Sequence, residues 1–331
     1  MDGFRIASFN LENLDDRPGP GPDFTLRLRL LRPQIERLRA DILCLQEVNA
    51  QKLAGGGPRA LRALDRLLEG TPYAGFERAC SGHGPERRPR DVHNLVVLSR
   101  FPITAVEQLH NHLVPAPTVP RIAGVTDVEP PAGLVWDRPL LHVTLSLGGS
   151  RPLHVINLHL RAPSGSYLKG QKLGPFEWKT IPGWATASFL SAIKRNGQAL
   201  EARLLVDRIL AEEPDAWIAV CGDFNAEECE VPMRLLIAAD DDTGSGALAA
   251  GSLLPLERSI AADRRFSVVH HGRPQMLDHI LVSRPLSAAY RGIEVHNETL
   301  GDELVAYRDV AHPPESYHAP LVAAFERAER A

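Results

Sequence analysis

Five short apolar runs, far apart in the chain, each break off into a carboxylate, an amide or an imidazole. Asn10 follows IASF, Glu47 follows LCLQ, Asn157 and His159 lie in HVINLHL, Asp223 and Asn225 follow VCG, and Asp278 precedes HILVS. A carboxylate or amide buried without a partner costs several kcal/mol. A fold that accepts this pattern therefore gathers the five ends so that they satisfy one another. The apolar runs Phe4 to Phe9, Ile42 to Val48, Leu95 to Leu98, Leu140 to Leu147, Leu153 to Leu160, Trp217 to Cys221, Met276 to Val282 and Leu321 to Phe325 are short and turn-bounded, which predicts strands. Helical spacing at Leu31, Ile35 and Leu38, at Leu61, Leu64, Leu67 and Leu68, and at Leu200, Leu204, Leu205 and Ile209 predicts amphipathic covers for a sheet face. Pro33 and Pro232 are each expected in a first helical turn, where a missing N–H costs nothing. No linker with a shift in composition divides the chain, so one α/β domain over residues 1–331 is expected. Residues 161–186 and 240–263 read as long loops.

Composition narrows the function. The 331 residues carry a formal net charge of −4, which argues against a protein held to nucleic acid by a general basic field, although a local patch suffices. No apolar run approaches the roughly 18 residues of a membrane-spanning helix. MDGFRIASFN enters a strand pattern without the basic and apolar regions of a signal peptide, so a cytoplasmic protein is expected. Four cysteines are too few for a disulfide scaffold: Cys44 and Cys221 read as small buried hydrophobes, and Cys80 and Cys229 have no partner at metal spacing. Four of the five lysines fall between Lys169 and Lys194.

RIASFNLENL, DILCLQEV, HNLVVLSRFPI, VINLHL, VCGDFN, LDHILVS and YHAPLVAAF, in that order, resemble the endonuclease/exonuclease/phosphatase superfamily, which includes deoxyribonuclease I-like and exonuclease III-like enzymes. The blocks run from residue 5 to 325. The resemblance implies a four-layer α/β sandwich, two mixed sheets face to face with helices outside, and metal-dependent cleavage of a phosphate ester. Such hydrolysis needs a divalent cation, a group that aligns water, and donors for the developing charge.

By resemblance Glu47 is the principal carboxylate for Mg²⁺ or Mn²⁺, cations that prefer hard oxygen ligands, with Asn10 beside it. Asp223 accepts the proton of the attacking water or aligns it, and Asn225 and Asn10 donate amide hydrogens to phosphate. His318 acts on the scissile phosphate as general base or as a stabilising cation, oriented by Asp278, and His159 resembles a second active-site histidine. Strand alternation places Asn157 on the same face as His159, as a further substrate contact. Arg138, in WDRPLLHVTL, resembles a phosphate-binding arginine. Nuclease-type relatives usually carry SDHAP where this chain reads SYHAP. A neutral phenol is a poor Mg²⁺ ligand, so the second carboxylate of the site is in question; Glu12 is a candidate to complete it, and Tyr317 a candidate donor to the substrate phosphate. His83, His93, His110, His112, His270, His271, His279 and His312 read as surface or core.

Between residues 161 and 198, Arg161, Lys169, Lys172, Lys179, Lys194 and Arg195 interleave with Tyr167, Phe176, Trp178 and Trp184. Cations with exposed rings suit phosphates with stacked bases, or an anionic headgroup at a lipid surface. The expected function is a metal-dependent nuclease acting on DNA or RNA. The alternatives are a phosphodiesterase or phosphatase for small-molecule, inositol-phosphate or lipid-headgroup substrates, and a non-catalytic binding module. No protein partner is indicated.

Overall fold

The computed structural model describes residues 3–17, 23–52, 57–84, 86–119, 133–149, 151–174, 177–303 and 314–327. His312 and Phe176 lie outside them. Twelve strands form two six-stranded sheets. They are β1 (Gly3–Leu14), β2 (Ile42–Val48), β3 (Glu77–Cys80), β4 (Asn94–Ser99), β5 (Ile103–Leu109), β6 (Leu140–Ser146), β7 (Pro152–His159), β8 (Trp217–Asp223), β9 (Leu253–Pro255), β10 (Asp278–Ser283), β11 (Tyr290–Val295) and β12 (Leu321–Glu326). One sheet runs β11-β12-β1-β2-β4-β3 and the other β9-β10-β8-β7-β6-β5. Each is mixed: β1 pairs parallel with β2 and β7 parallel with β8, and the remaining neighbours are antiparallel.

Alternation along the central strands assigns each residue to one of two layers. Phe4, Ile6, Ile42, Cys44, Leu95 and Val97 meet Val143, Leu153, Val155, Ala219, Cys221 and Ile280 between the sheets. The opposite face of the first sheet is covered by α1 (Phe24–Leu38) and α2 (Arg62–Leu68), and that of the second by α3 (Ile181–Glu212) and α4 (Val231–Ile237). The result is the helix, sheet, sheet, helix sandwich expected. All eight strands read from the sequence are present. Edge strands β3, β5 and β11 escaped the reading because they are half exposed and mix charged with apolar residues; edges need no continuous apolar face.

Three other expectations are corrected. Pro33 lies inside α1 rather than in its first turn, with its ring on the exposed side, while the helix starts at the Asp23 cap. Pro232 does open α4. The loop placed at 161–186 ends at Thr180, whose side chain accepts from the Gly183 N–H to cap the 32-residue α3, with Pro182 in its first turn. Residues 240–263 contain short helical turns and strand β9 rather than one loop. No helix among the described residues is long and apolar enough to cross a membrane.

Candidate active site

Sheet register carries three of the chemistry-bearing residues to one edge. Asp223, the last residue of β8, stands opposite His159 of β7 on one side and Asp278 of β10 on the other. Gly222 permits this approach: its φ is +146°, and a Cβ there would lie 1.9 Å from the Leu158 carbonyl oxygen. From the facing sheet, Asn10 Nδ2 donates to Asp223 Oδ2 at 3.1 Å and reaches Glu47 Oε1 at 3.5 Å. His159 Nε2 lies 3.2 Å from Asp223 Oδ2 and 3.8 Å from Glu47 Oε1. Two carboxylates from opposite sheets thus converge on the same amide and the same imidazole.

His318, in the segment that leads into β12, closes the group. Its Nδ1 meets Asp278 Oδ2 at 2.8 Å and its Nε2 faces Asp223 Oδ2 at 3.9 Å. Burial works against charge on this ring, but Asp278 and then Asp223 outweigh it and hold its pKa well above the ordinary histidine value. Burial pushes the Asp223 carboxyl up to about 7, the charge of His318 opposing the rise and Asp278 adding to it. His159 is driven the other way, well below its usual value, by burial and by Arg138. The two imidazoles beside Asp223 are therefore split by their neighbours, His318 toward the cation and His159 toward the neutral ring.

Asn225, at φ +48°, donates from its backbone N–H to Asp223 Oδ1 at 2.8 Å and from Nδ2 to Asp223 Oδ2 and the Leu160 carbonyl, both at 3.1 Å. Glu12 sits on an irregularity in the β1–β2 pairing, at φ +45°, and its Oε2 accepts the Tyr317 N–H at 2.8 Å. It places a carboxylate beside the main chain of Tyr317. Burial raises its pKa, opposed by the Tyr317 N–H and the charge of His318. The Tyr317 phenol is buried, which pushes it up to about 12, so it enters the site as a neutral ring.

Arg138 precedes β6 and hands Nη2 to His93 Nδ1 at 3.0 Å, while its Nε and Nη1 are buried without a hydrogen-bond partner. Guanidinium donors in that condition suit an incoming anion.

Asn157 does not join this group. Its Nδ2 donates to the Leu45 and Val96 carbonyls at 3.1 and 3.0 Å, and its Oδ1 accepts from Gln46 Nε2 at 2.8 Å. Both amide hydrogens tie the two sheets together beneath the site, and none remains for a phosphate. Asn10 also differs from the ligand role expected of it: its Oδ1 accepts the Glu12 N–H at 2.9 Å, so it meets the carboxylates as a donor.

The sequence reading missed His93. The ring lies 3.8 Å from Glu47 Oε2, and Nε2 contacts Asn13 Oδ1 at 2.7 Å. Because Arg138 can only donate, Nδ1 must accept and Nε2 must carry the proton. Nothing in HNLVVLS marks this role, which depends on a left-handed backbone at His93, φ +57°. His279 is a core histidine: burial works against its charge, but its pairing with buried Glu257 outweighs this and raises its pKa, and its Nε2 meets the Ala226 carbonyl at 2.9 Å, bracing the turn after Asp223.

A family model described as "Endonuclease/Exonuclease/phosphatase family" matches residues 7–299. No curated protein matches the sequence. Among solved structures, the chain is similar to truncated TDP2 from Caenorhabditis elegans, with a TM-score of 0.56 at 16% identity over 98% of both chains. It is also similar to an endonuclease/exonuclease/phosphatase from Bacteroides vulgatus, with a TM-score of 0.57 at 14% identity over 99% of this chain and 100% of that one. The 3′ phosphatase NExo from Neisseria, bound to product DNA hairpin, gives a TM-score of 0.50 at 16% identity over 98% of this chain and 100% of that one.

Proposed function

Since the chain belongs to the endonuclease/exonuclease/phosphatase family and is a phosphoesterase, we propose that it is a metal-dependent nuclease cleaving phosphodiester bonds in DNA or RNA. The observation that carries this reading is the convergence of Glu47, Asp223, Asp278, Asn10, Asn225, His159 and His318 on one point between the sheet edges. Neighbours of the same fold include a DNA-bound phosphatase, which supports a nucleic-acid substrate.

The donor set fits a hard divalent cation. Glu47 and Asp223 face each other across neutral donors, and Asp278 Oδ1 is buried without a hydrogen-bond partner. Asp223, Asp278 and His318 bring ligand-type atoms within 4.8 Å of one another, and with His318 held as a cationic donor the two carboxylates are what this group presents to an ion. Glu47 would hold Mg²⁺ or Mn²⁺, with Glu12 behind it in place of the aspartate absent at residue 317. Bound there, the ion supplies Lewis-acid polarisation of a phosphate oxygen.

The chain's own residues account for the remaining requirements. Arg138 Nε and Nη1 bind the phosphate. Asp223, raised toward neutrality, takes the proton of the attacking water while Asn225 and Asn10 fix the carboxylate plane. His318, kept cationic by Asp278, donates to the charge that develops on the phosphorane oxygens or the leaving group. His159 stays neutral, with its Nε2 3.2 Å from Asp223 Oδ2.

The test is turnover with Mg²⁺ or Mn²⁺ on plasmid, single-stranded oligonucleotide, bis-p-nitrophenyl phosphate and inositol phosphates. Cleavage of the oligonucleotide or plasmid is expected. Turnover confined to inositol phosphates would transfer the site to small-molecule phosphate esters, and no turnover at all would overturn the enzymatic reading.

A further inference from the structure

Helix α3 is twice as long as its sheet contact requires. Ala199, Ala202, Leu205, Val206 and Ile209 pack on the second sheet, and Gln198 Oε1 accepts the Arg161 N–H just beyond the end of β7. Residues 181–197, about 25 Å of helix at 1.5 Å per residue, therefore lie beyond the contact with the sheet, and from Ser191 to Arg195 they meet the segments at the edge that bears the active site. They have a small core of their own, in which Ala187 and Leu190 meet Leu134, Leu168 and Trp178. A second core stabilised this far from the sheets gives the projection a fixed shape.

Its charge differs from that of the rest of the molecule. Residues 161–200 contain Arg161, Lys169, Lys172, Lys179, Lys194 and Arg195 against the single acid Glu177; Arg161 and Lys194 pair with Asp137 and Arg195 with Glu230, so the outer part of the projection takes its positive charge from Lys169, Lys172 and Lys179. The projection also displays large rings to solvent: Tyr167 is 76% exposed, Phe189 53% and Trp184 51%. At its base it joins the catalytic edge, since Arg195 donates to the Asn225 carbonyl and Lys194 to Asp137 beside Arg138. Trp184 precedes Arg195 by eleven residues, three turns and about 20°, so both lie on one stripe of the helix roughly 16 Å apart.

We propose that this arm, residues 161–174 and 177–195, binds a single-stranded stretch of nucleic acid flanking the scissile phosphate, Lys169 and Lys179 facing its phosphates and Tyr167 and Trp184 stacking its unpaired bases. The proposal rests on the phosphoesterase site assigned above, and it narrows the substrate from nucleic acid in general to a strand with unpaired bases. Ring stacking is sequence-tolerant and requires exposed base faces, which a duplex does not offer. A small phosphate ester ends inside the cleft and gains nothing from a 25 Å extension. A bilayer is the poorer fit: a helix lying on anionic lipid carries lysine or arginine along its polar face, and residues 181–193 carry none.

The experiment measures binding of a fluorescein-labelled 20-nucleotide single strand to the full chain carrying His318→Ala, by anisotropy between 50 and 200 mM NaCl. The comparison chain adds Lys169→Glu, Lys179→Glu, Tyr167→Ala and Trp184→Ala, side chains exposed enough that none supports a core. At least a tenfold loss of affinity and a shallower salt slope are expected. In the His318 background, the same four changes should leave turnover of bis-p-nitrophenyl phosphate within twofold of the unmodified chain. Equal affinity and equal salt slope in the two binding chains overturn the proposal. Retained oligonucleotide binding with lost binding to phosphatidylserine vesicles also overturns it, in favour of a lipid surface. If the wild-type chain turns over no phosphate ester but the four changes still abolish strand binding, the arm stands and the hydrolase reading falls.

Discussion

His318 and Asp223 face each other at 3.9 Å with opposite displacements of charge, and that pairing divides the chemistry between them. A carboxyl raised to about 7 is a competent proton acceptor at neutral pH, and an imidazolium secured by Asp278 is a donor that does not need to be recharged in each cycle. Replacing His318 by alanine should lower kcat by more than about 100-fold, equivalent to about 3 kcal/mol of transition-state stabilisation, with KM little changed. Near-wild-type kcat would remove the role. Glu12→Gln tests the substitute carboxylate separately. The amide oxygen can still accept the Tyr317 N–H, so the backbone is retained, while the charge is lost. About tenfold weaker Mn²⁺ binding is expected by titration calorimetry, on the order of 1.4 kcal/mol; an unchanged affinity would mean that Glu12 serves the fold alone.

At the level of strands and helices, what could be read from the sequence depended on burial. The central strands are buried on both faces, so their apolar runs were legible, and the polar residues that end them marked the site edge. Backbone conformation carried no such signal. Glu12, Asn13, Glu47 and His93 all take positive φ, a costly choice for non-glycine residues, and it is this that turns Glu12 inward and brings His93 to Arg138. Packing between elements was equally hidden. His142 of β6 and His154 of β7 stack 5.3 Å apart, flanked by Glu107, Arg208 and Glu213 under the C-terminal end of α3. Burial lowers the His142 pKa to about 4, its hydrogen bond to Glu107 only partly opposing this. The folded value lies below the unfolded one near 6.5, so the unfolded chain binds the extra proton and stability falls as pH drops from 6.5 toward 4. Between pH 7 and pH 5 the wild type should lose about 2 kcal/mol more than His142→Leu, measured by urea denaturation. Identical pH slopes would show the pair to be solvated.

Across the whole molecule the site belongs to neither sheet alone. Asn10, Glu12 and Glu47 come from the first, His159, Asp223 and Asp278 from the second, and the two sheets pack on each other through residues such as Phe4, Ile42, Val143 and Ile280. A cation held by both sets binds the assembled sandwich and not the unfolded chain, so it acts as a clamp across the sheet interface. That linkage stabilises the fold by about 2.7 kcal/mol at a hundredfold excess over Kd, and Mn²⁺ should raise the unfolding midpoint by a few degrees. The Glu47→Gln chain should show no such rise. The direction of the pH effect follows from Asp223. With its carboxyl raised to about 7, a cation entering at pH 6 must displace a proton that is already absent at pH 8, so Mn²⁺ affinity should increase with pH through neutrality and level off above it. Calorimetry in two buffers of different ionisation enthalpy reads that proton directly. Release of close to one proton per ion at pH 6, falling toward zero at pH 8, is the expected pattern, whereas pH-independent binding without proton release would mean that the Asp223 carboxyl does not sense the ion.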